Sequence, residues 1–370
     1  MLKEFKVRGF KNFKEELFFN LGDTRNYEFN SNAVKNGVVK TSLIYGMNGS
    51  GKSNLGYAIF DIIGHLTDKR RDPEKYKLYL NLEKDTDAAE FYYKFQFDKN
   101  VVEYQYSKKN YEELICETVK INGKIVINYD YRAEKETIVS LPGAENLKTT
   151  LNDNKISFVK YLIRNTNLDK RKKDNKLFGD FLDFVDRMLF FRSLEQNEYL
   201  GYKSGIGHIH NEIIKENKLQ DFQNFLSKNK LNYKLLAEHR GDQDIIVCEF
   251  PTGKKADFFD LSSKGTRTLT LFYYWSMFLK SVSFVFIDEF DAFYHFEISK
   301  LVVEFLRDNK NLQVILTTHN TDGMNNDLLR PDCYFILNEN KISSLADATE
   351  KELRCAHNLQ KMYKAGAFKV

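Results

Sequence analysis

Cysteine is scarce and scattered in this sequence. Cys116, Cys248, Cys333 and Cys355 stand far apart with no C-x-x-C pair, which excludes a disulfide framework or a cysteine zinc site and fits free thiols in a reducing cytoplasm. An apolar leader is missing too: "MLKEFKVRGFKNF" carries charges throughout, so no signal peptide is expected there. The nearest thing to a membrane span, "LFYYWSMFLKSVSFVFI" at 271–287, is broken by Lys280 and falls short of the roughly 20 apolar residues a span requires. It is expected to be a buried helix followed by a buried strand, and no membrane partner is expected. Internal repeats, low-complexity tracts and sustained heptads are absent, which excludes a long coiled coil. Charge of one sign is lacking as well, and a net charge of +4 does not by itself argue for nucleic acid.

What is present is aromatic. The 31 Phe and 21 Tyr in 370 residues, with 42% hydrophobic and 29% charged residues, describe a globular chain of two or three units whose core is filled largely by rings. "EFKVRGF" and "VVKTSLIYG" read as strands, and the second ends in a glycine loop followed by helical spacing at Leu55, Ala58, Ile59, Ile62, Ile63 and Leu66. Phe91, Tyr93, Phe95 and Phe97 alternate with polar residues, as do Val102, Tyr104 and Tyr106, which predicts an antiparallel meander of about four strands over 89–131. Asn122-Gly123 supplies a hairpin turn within it. Helical spacing returns at Phe181, Leu182, Val185, Met188 and Leu189, and again over 211–229. From Phe284 the order is strand, helix, strand, the helix burying Ile298, Leu301, Val302, Phe305 and Leu306; continuously apolar flanking strands indicate a parallel sheet covered on both faces.

Four stretches carry chemistry. "GMNGSGKS" at 46–53 matches G-x-x-x-x-G-K-[ST] between a strand and a helix, so its backbone N–H groups can wrap phosphate oxygens at the positive end of the helix. Gly46, Asn48, Gly49, Ser50, Gly51, Lys52, Ser53 and Asn54 are the expected nucleotide contacts, with Lys52 at the phosphates and Ser53 on Mg²⁺; a plain glycine turn is the alternative. "SVSFVFIDEFD" ends a buried strand in Asp288, placed to hold Mg²⁺ through water opposite Ser53, and in Glu289, placed to orient and deprotonate an attacking water. A pair of acids solvating a strand end is the alternative there. "LQVILTTHN" ends a third strand near His319, which can hydrogen-bond a γ-phosphate or serve only as a satisfied strand-end histidine. "LSSKGTRTL" sets Ser263, Gly265 and Thr266 before an apolar helix, a second phosphate-binding N-terminus.

The order of these motifs is similar to that of ABC-class ATPases. Within that class the chain resembles the OLD-like ATPases of prokaryotic antiphage and abortive-infection systems, such as the ATPase components of AbiL-type and PARIS-type pairs. "VRGFKNF", "GMNGSGKSNL", "SSKGTRTL", "FIDEFDAFYH", "TTHNTDGMNNDLLRPDCYFI" and "NLQKMYKAGAF" carry the resemblance, and residues 67–240 share only the layout. Lys264 stands where a small residue is common, and Phe296 follows His295 where proline is frequent. The resemblance implies an α/β fold, an ABC-type ATPase head: a mixed sheet with the P-loop, an antiparallel β subdomain and a helical signature lobe. The implied segments are 1–66, the N-terminal ATPase core; 67–143, the antiparallel β subdomain; 144–260, the helical lobe; and 261–370, the signature helix, Walker B strand, switch histidine and remaining core.

By the same resemblance, ATP and Mg²⁺ are the cofactors, and Lys52, Glu289 and His319 are the catalytic residues. The serine-glycine signature of one protomer covers ATP held by another, giving a homodimer or higher homo-oligomer. His295 falls where a residue crosses that interface, Gln196 is the candidate for the glutamine loop, and Asp291 has no assigned role. The chain stops about 50 residues after His319, short of the roughly 100 to 150 residues a separate Toprim domain would take. A separate effector, such as a Toprim-type nuclease, and a phage-derived trigger are therefore the expected partners. A RecF-like DNA repair ATPase and an ATP-dependent scaffold with little turnover are the alternatives. DNA stays open as a partner: the basic runs "DKRRDPEKYK" (68–77) and "DKRKKDNK" (169–176) read as solvated loops, with nucleic-acid contact or partner docking as the alternative.

Overall fold

The computed structural model describes all residues except 70–72, 133–136, 152, 194–197, 202–208, 242 and 293–295. The chain begins with strands β1 (Leu2–Arg8) and β2 (Leu17–Asn20), a small hairpin of β3 (Val34–Lys35) and β4 (Val38–Val39), then β5 (Thr41–Tyr45) and helices α1 (Lys52–Ile59) and α2 (Ile63–Leu66). The meander β6 (Ala89–Phe97), β7 (Asn100–Lys108), β8 (Leu114–Ile121), β9 (Lys124–Asp130) and β10 (Ile138–Val139) follows. Helices α3 (Phe158–Asn165) and α4 (Lys173–Asp186) lead to β11 (Met188–Ser193), β12 (Glu198–Gly201), α5 (Ile209–Lys215) and α6 (Leu219–Lys228). Then come β13 (Leu235–Arg240), β14 (Gln243–Glu249), β15 (Lys255–Asp257), α7 (Phe258–Leu261) and α8 (Lys264–Ser276). The chain finishes with β16 (Phe284–Ile287), α9 (Phe296–Asp308), β17 (Gln313–Thr318), β18 (Tyr334–Asn338), β19 (Lys341–Ser344) and α10 (Leu359–Lys364).

Period-two aromatics build the first sheet. It has seven antiparallel strands in the order β10-β9-β8-β7-β6-β1-β2, and its inner face is ringed by Phe5, Phe91, Tyr93, Phe95, Tyr104 and Tyr106, all essentially buried. Phe91 stacks on Tyr106 across the β6–β7 pair at 4.9 Å, the offset geometry that adds about 1 kcal/mol beyond area burial. The hairpin at Asn122-Gly123 has φ of +49° and +81°, as its turn type requires.

The second sheet runs β12-β11-β16-β17-β5-β18-β19. β11, β16, β17, β5 and β18 are mutually parallel, and β5, β16 and β17 are buried throughout, as strands covered on both faces must be. Between the sheets lies α1. Its Gly56 faces the second sheet, where an added Cβ would come within 2.8 Å of Phe190 and 2.9 Å of Phe286, while the Ala58 carbonyl accepts the Tyr93 hydroxyl of the first sheet at 2.9 Å. Gln313 pins the two sheets together: its side chain accepts from Leu2 N (2.7 Å) and donates to the carbonyls of Leu2 (2.7 Å) and Val39 (3.0 Å). The phosphate-loop sheet beside an antiparallel sheet is the mixed α/β arrangement expected from the sequence. The segment 144–260, expected as a helical lobe, is not helical throughout: β11 and β12 join the second sheet, and β13, β14 and β15 form a three-stranded antiparallel sheet among α5 to α8, because their residues pair with strands rather than pack as helices. No helix of the described residues is long and apolar enough to cross a membrane.

Four further sequence expectations are corrected. The helical spacing that runs on to Met188 and Leu189 crosses a boundary: α4 ends at Asp186 and both residues lie in β11, paired with β16. The helix over 211–229 is two helices, parted at Asn217 with φ +53°. The helix after the phosphate loop breaks after Ile59 and resumes at Ile63. On α9, Leu301 and Phe305 are about half exposed, and Ser299, Val302, Val303 and Leu306 form the buried stripe.

Charge is also buried between the layers. Lys108 donates to Asp61 at 2.7 Å with both side chains fully buried, and Asp61 also accepts the Tyr106 hydroxyl at 2.9 Å. Glu117 accepts from Tyr104, Tyr131, Ser157 and the Phe158 amide, all at 2.6 to 2.7 Å. Breaking one partner of a buried pair strands the other. Lys108→Met is therefore expected to lower the unfolding free energy by roughly 3–5 kcal/mol in urea titrations, with Asp61→Asn added to it restoring part of the loss; an unchanged midpoint would contradict this.

Candidate functional site

Strands β5, β16 and β17 are adjacent and parallel, so their C-terminal ends open on one edge. Tyr45 pairs with Thr318, and Ile287 with Leu316. The loop after β5, the turn after β16 and the end of β17 thus meet, the place where ligands bind in open parallel sheets.

The loop's curl needs glycine at two points. Gly49 and Gly51 have φ of +81° and +99°. Gly51 starts α1, accepting the Leu55 amide at 2.8 Å. A Cβ on Gly51 would also lie 2.5 Å from the Asn12 side chain. Gly46 is closed in by the Leu337 carbonyl and by Ser50 Oγ, 2.7 and 2.5 Å from where a Cβ would be, and that buried Ser50 hydroxyl has no hydrogen-bond partner among the described residues. Asn48 and Gly49 are exposed at the loop tip. Lys52 curls over the loop, donating to the carbonyls of Gly46 (2.7 Å) and Met47 (3.1 Å). Burial lowers its pKa, against the pull of Asp288 and Glu289.

Asp288 is 8% exposed. Ser53 Oγ donates to its Oδ2 at 2.5 Å and Thr317 Oγ1 to its Oδ1 at 2.6 Å. Burial pushes its pKa up, and these two hydrogen bonds work in the other direction. A hydroxyl and a carboxylate this close form an all-oxygen donor pair at the first turn of a helix that follows a phosphate-type loop, which fits Mg²⁺. Glu289 is exposed and has φ +48°, with its amide donating to Thr317 Oγ1 at 2.8 Å. Asp291 accepts Thr318 Oγ1 at 2.8 Å, and burial raises its pKa.

His319 is exposed just beyond β17 and makes no hydrogen bond among the described residues. Ser263 caps α8: its hydroxyl accepts the Thr266 amide at 3.2 Å and lies 3.0 Å from Thr266 Oγ1. Ser263 is exposed, Gly265 half-buried and Thr266 buried, and no side-chain hydrogen bond of Ser263 or Thr266 reaches residues 46–54. Gln196 and His295 lie outside the described residues.

One contact was missed by motif reasoning. Asn12, in the turn after β1, accepts the Asn54 side-chain amide at 2.6 Å and lies against Gly51, so it braces both the loop and the first turn of α1. The only sequence signal for it is its place in "VRGFKNF", a stretch with no chemistry of its own.

The sequence pattern of one family, described as "AAA domain, putative AbiEii toxin, Type IV TA system", matches residues 42–322. No curated protein matches the chain. Among solved structures it is similar to the SMC head domain from Thermotoga maritima, at 17% identity over 93% of this chain and 98% of that one, with a TM-score of 0.42. It is also similar to an SMC head bound to the C-winged helix domain of ScpA, at 16% identity over 93% and 97%, TM-score 0.43. The Smc head domain with an extended coiled coil bound to the C-terminal domain of ScpA, from Pyrococcus furiosus, matches at 15% identity over 94% and 97%, TM-score 0.42.

The brace can be tested by stability. Alanine at Gly49 meets backbone strain alone, about 1–2 kcal/mol, because nothing lies within 4 Å; alanine at Gly51 adds the clash with Asn12. Gly51→Ala is expected to lower the melting temperature more than Gly49→Ala, and the excess is expected to vanish in an Asn12→Ala background. Equal losses in both backgrounds would contradict the contact.

Proposed function

We propose that this chain, which belongs to the family described as "AAA domain, putative AbiEii toxin, Type IV TA system", is the ATP-driven switch of an antiphage system. Membership of that family makes it an ATP-hydrolysing enzyme. The observation that carries the mechanism is the meeting of Ser53, Asp288 and Thr317 at 2.5 and 2.6 Å beside the phosphate loop, with Glu289 exposed next to it.

In this reading the amides of residues 46–51 wrap the ATP phosphates, with the Asn48, Ser50 and Asn54 positions lining them. Lys52 exchanges the carbonyls of Gly46 and Met47 for phosphate oxygens. Ser53 and Asp288 would hold Mg²⁺, which would supply positive charge to offset the charge of the phosphates. Glu289 orients the attacking water and takes its proton, a task open to it because it is exposed while Asp288 is committed to its donors. His319, exposed just beyond β17, faces the γ-phosphate. Ser263, Gly265 and Thr266 serve the other half of the site: standing at a helix N-terminus and unbonded to their own phosphate loop, they cover ATP held by a second copy. Two chains then close around two ATP molecules and open after hydrolysis.

The output assigned to this cycle is control of a separate effector, such as a Toprim-type nuclease, held until a phage-derived trigger acts. The OLD-like motifs and the toxin–antitoxin wording of the family description support a two-protein system. A second reading, duplex DNA binding of the RecF-like kind, is favoured by the exposed Lys170, Lys172, Lys173 and Lys176 around the start of α4. It requires an affinity that falls steeply with salt.

Glu289→Gln is expected to cut turnover by roughly 100-fold or more while ATP binding persists and an ATP-dependent dimer accumulates in size-exclusion chromatography. Unchanged turnover would remove Glu289 from its role. Co-expression with the product of the neighbouring gene is expected to give an ATP-dependent complex of the two proteins; salt-sensitive binding of duplex DNA with no such complex would favour the second reading.

A further inference from the structure

We propose that Thr317 is the positioning residue for both acidic groups of the site; the inference rests on the roles given above to Asp288 and Glu289. Thr317 is fully buried in β17, one strand away from the acids it serves. Its hydroxyl has one proton and two lone pairs. The Glu289 amide can only donate, and it donates to Thr317 Oγ1 at 2.8 Å. The hydroxyl proton is therefore free to go to Asp288 Oδ1, 2.6 Å away. The Thr317 carbonyl accepts the Phe290 amide at 3.1 Å, so one residue fixes three consecutive positions of the turn after β16.

Glu289 needs such a hold. Its φ of +48° lies in the left-handed region that residues with a side chain seldom occupy, and conformations of this kind persist where surrounding structure enforces them. The backbone twist points Glu289 out into solvent while Asp288 stays buried, so two adjacent acids take up separate tasks. Thr317 enforces the twist through the Glu289 amide and aims Asp288 through its carboxylate, and it does both with a single oxygen. Ser53 grips the other carboxylate oxygen. Asp288 is thus held between the helix after the phosphate loop and the strand that leads to His319. Thr317 touches none of the reacting groups and acts only through the two acids.

Valine keeps the shape of Thr317 and removes the hydroxyl, and serine keeps the hydroxyl and removes a methyl. Thr317→Val is expected to lower kcat by roughly 10- to 100-fold, with KM for ATP changed by less than about twofold. It is also expected to raise the Mg²⁺ concentration needed for half of the ATP-dependent thermal shift. Thr317→Ser is expected to bring both quantities back near wild type. Wild-type kcat and Mg²⁺ requirement in Thr317→Val, or a Thr317→Ser as impaired as Thr317→Val, would overturn the inference. If Thr317→Val does not fold, Thr317→Cys, close in size with a weaker donor and acceptor, carries the same expectation and the same overturning result. Glu289→Gln measured alongside separates the two readings: an active Glu289→Gln removes the base while the Mg²⁺ requirement still decides Thr317, and an inactive Glu289→Gln beside a fully wild-type Thr317→Val removes the positioning role alone.

Discussion

Asp288 is a carboxylate taken almost wholly out of water at the end of β16, and such a group must be met by donors. Its donors are Ser53 from the first turn of α1 and Thr317 from β17. That requirement ties three separate parts of the chain, some 235 residues apart for the first pair, into one small volume. The parallel pairing of β16, β17 and β5 brings them there, and the register decides which side chains face each other. A slip of one residue in β17 would turn Thr317 away from Asp288, because strand side chains alternate between faces.

The site is fastened to the rest of the molecule through α1. On one side Gly56 lets the helix lie close to Phe190 and Phe286, and on the other the Ala58 carbonyl takes the Tyr93 hydroxyl. Displacing the start of α1 therefore presses on the aromatic face of the antiparallel sheet, where Asp61 holds Lys108 and Tyr106. Asn12 binds the same region from the turn after β1. These contacts give the phosphate loop a rigid seat and give the antiparallel sheet a direct mechanical link to it.

The parts of the fold and site that were legible in the sequence are those with a local code. The phosphate loop, the Asp288-Glu289 pair and the meander of β6 to β9 each rest on spacing within a dozen or so residues. What was not legible depends on partners far away. Met188 and Leu189 continue a helical spacing, yet pairing with β16 makes them strand, since tertiary contact outweighs a short apolar pattern. Leu301 and Phe305 fit a helical stripe in sequence but lie on its exposed flank, because the packing of α9 centres on Val302, Val303 and Leu306. Thr317 was visible only as a polar residue before His319, and Asn12 only as part of a resemblance. Their bonds span 29 and 42 residues, and no short motif encodes such a reach.

In the reading proposed above, each ATP is hydrolysed between the phosphate loop of one chain and Ser263 to Thr266 of another. Mixing two disabled chains separates a shared site from one built within a single chain. Lys52→Ala spoils the loop and Ser263→Arg spoils the covering helix start, and each variant alone is expected to be inactive. Mixed in equal amounts, they should regain roughly a quarter of wild-type turnover, the statistical yield of one intact site in half of the dimers. No regained activity on mixing, or a Ser263→Arg chain as active as wild type, would contradict the shared site.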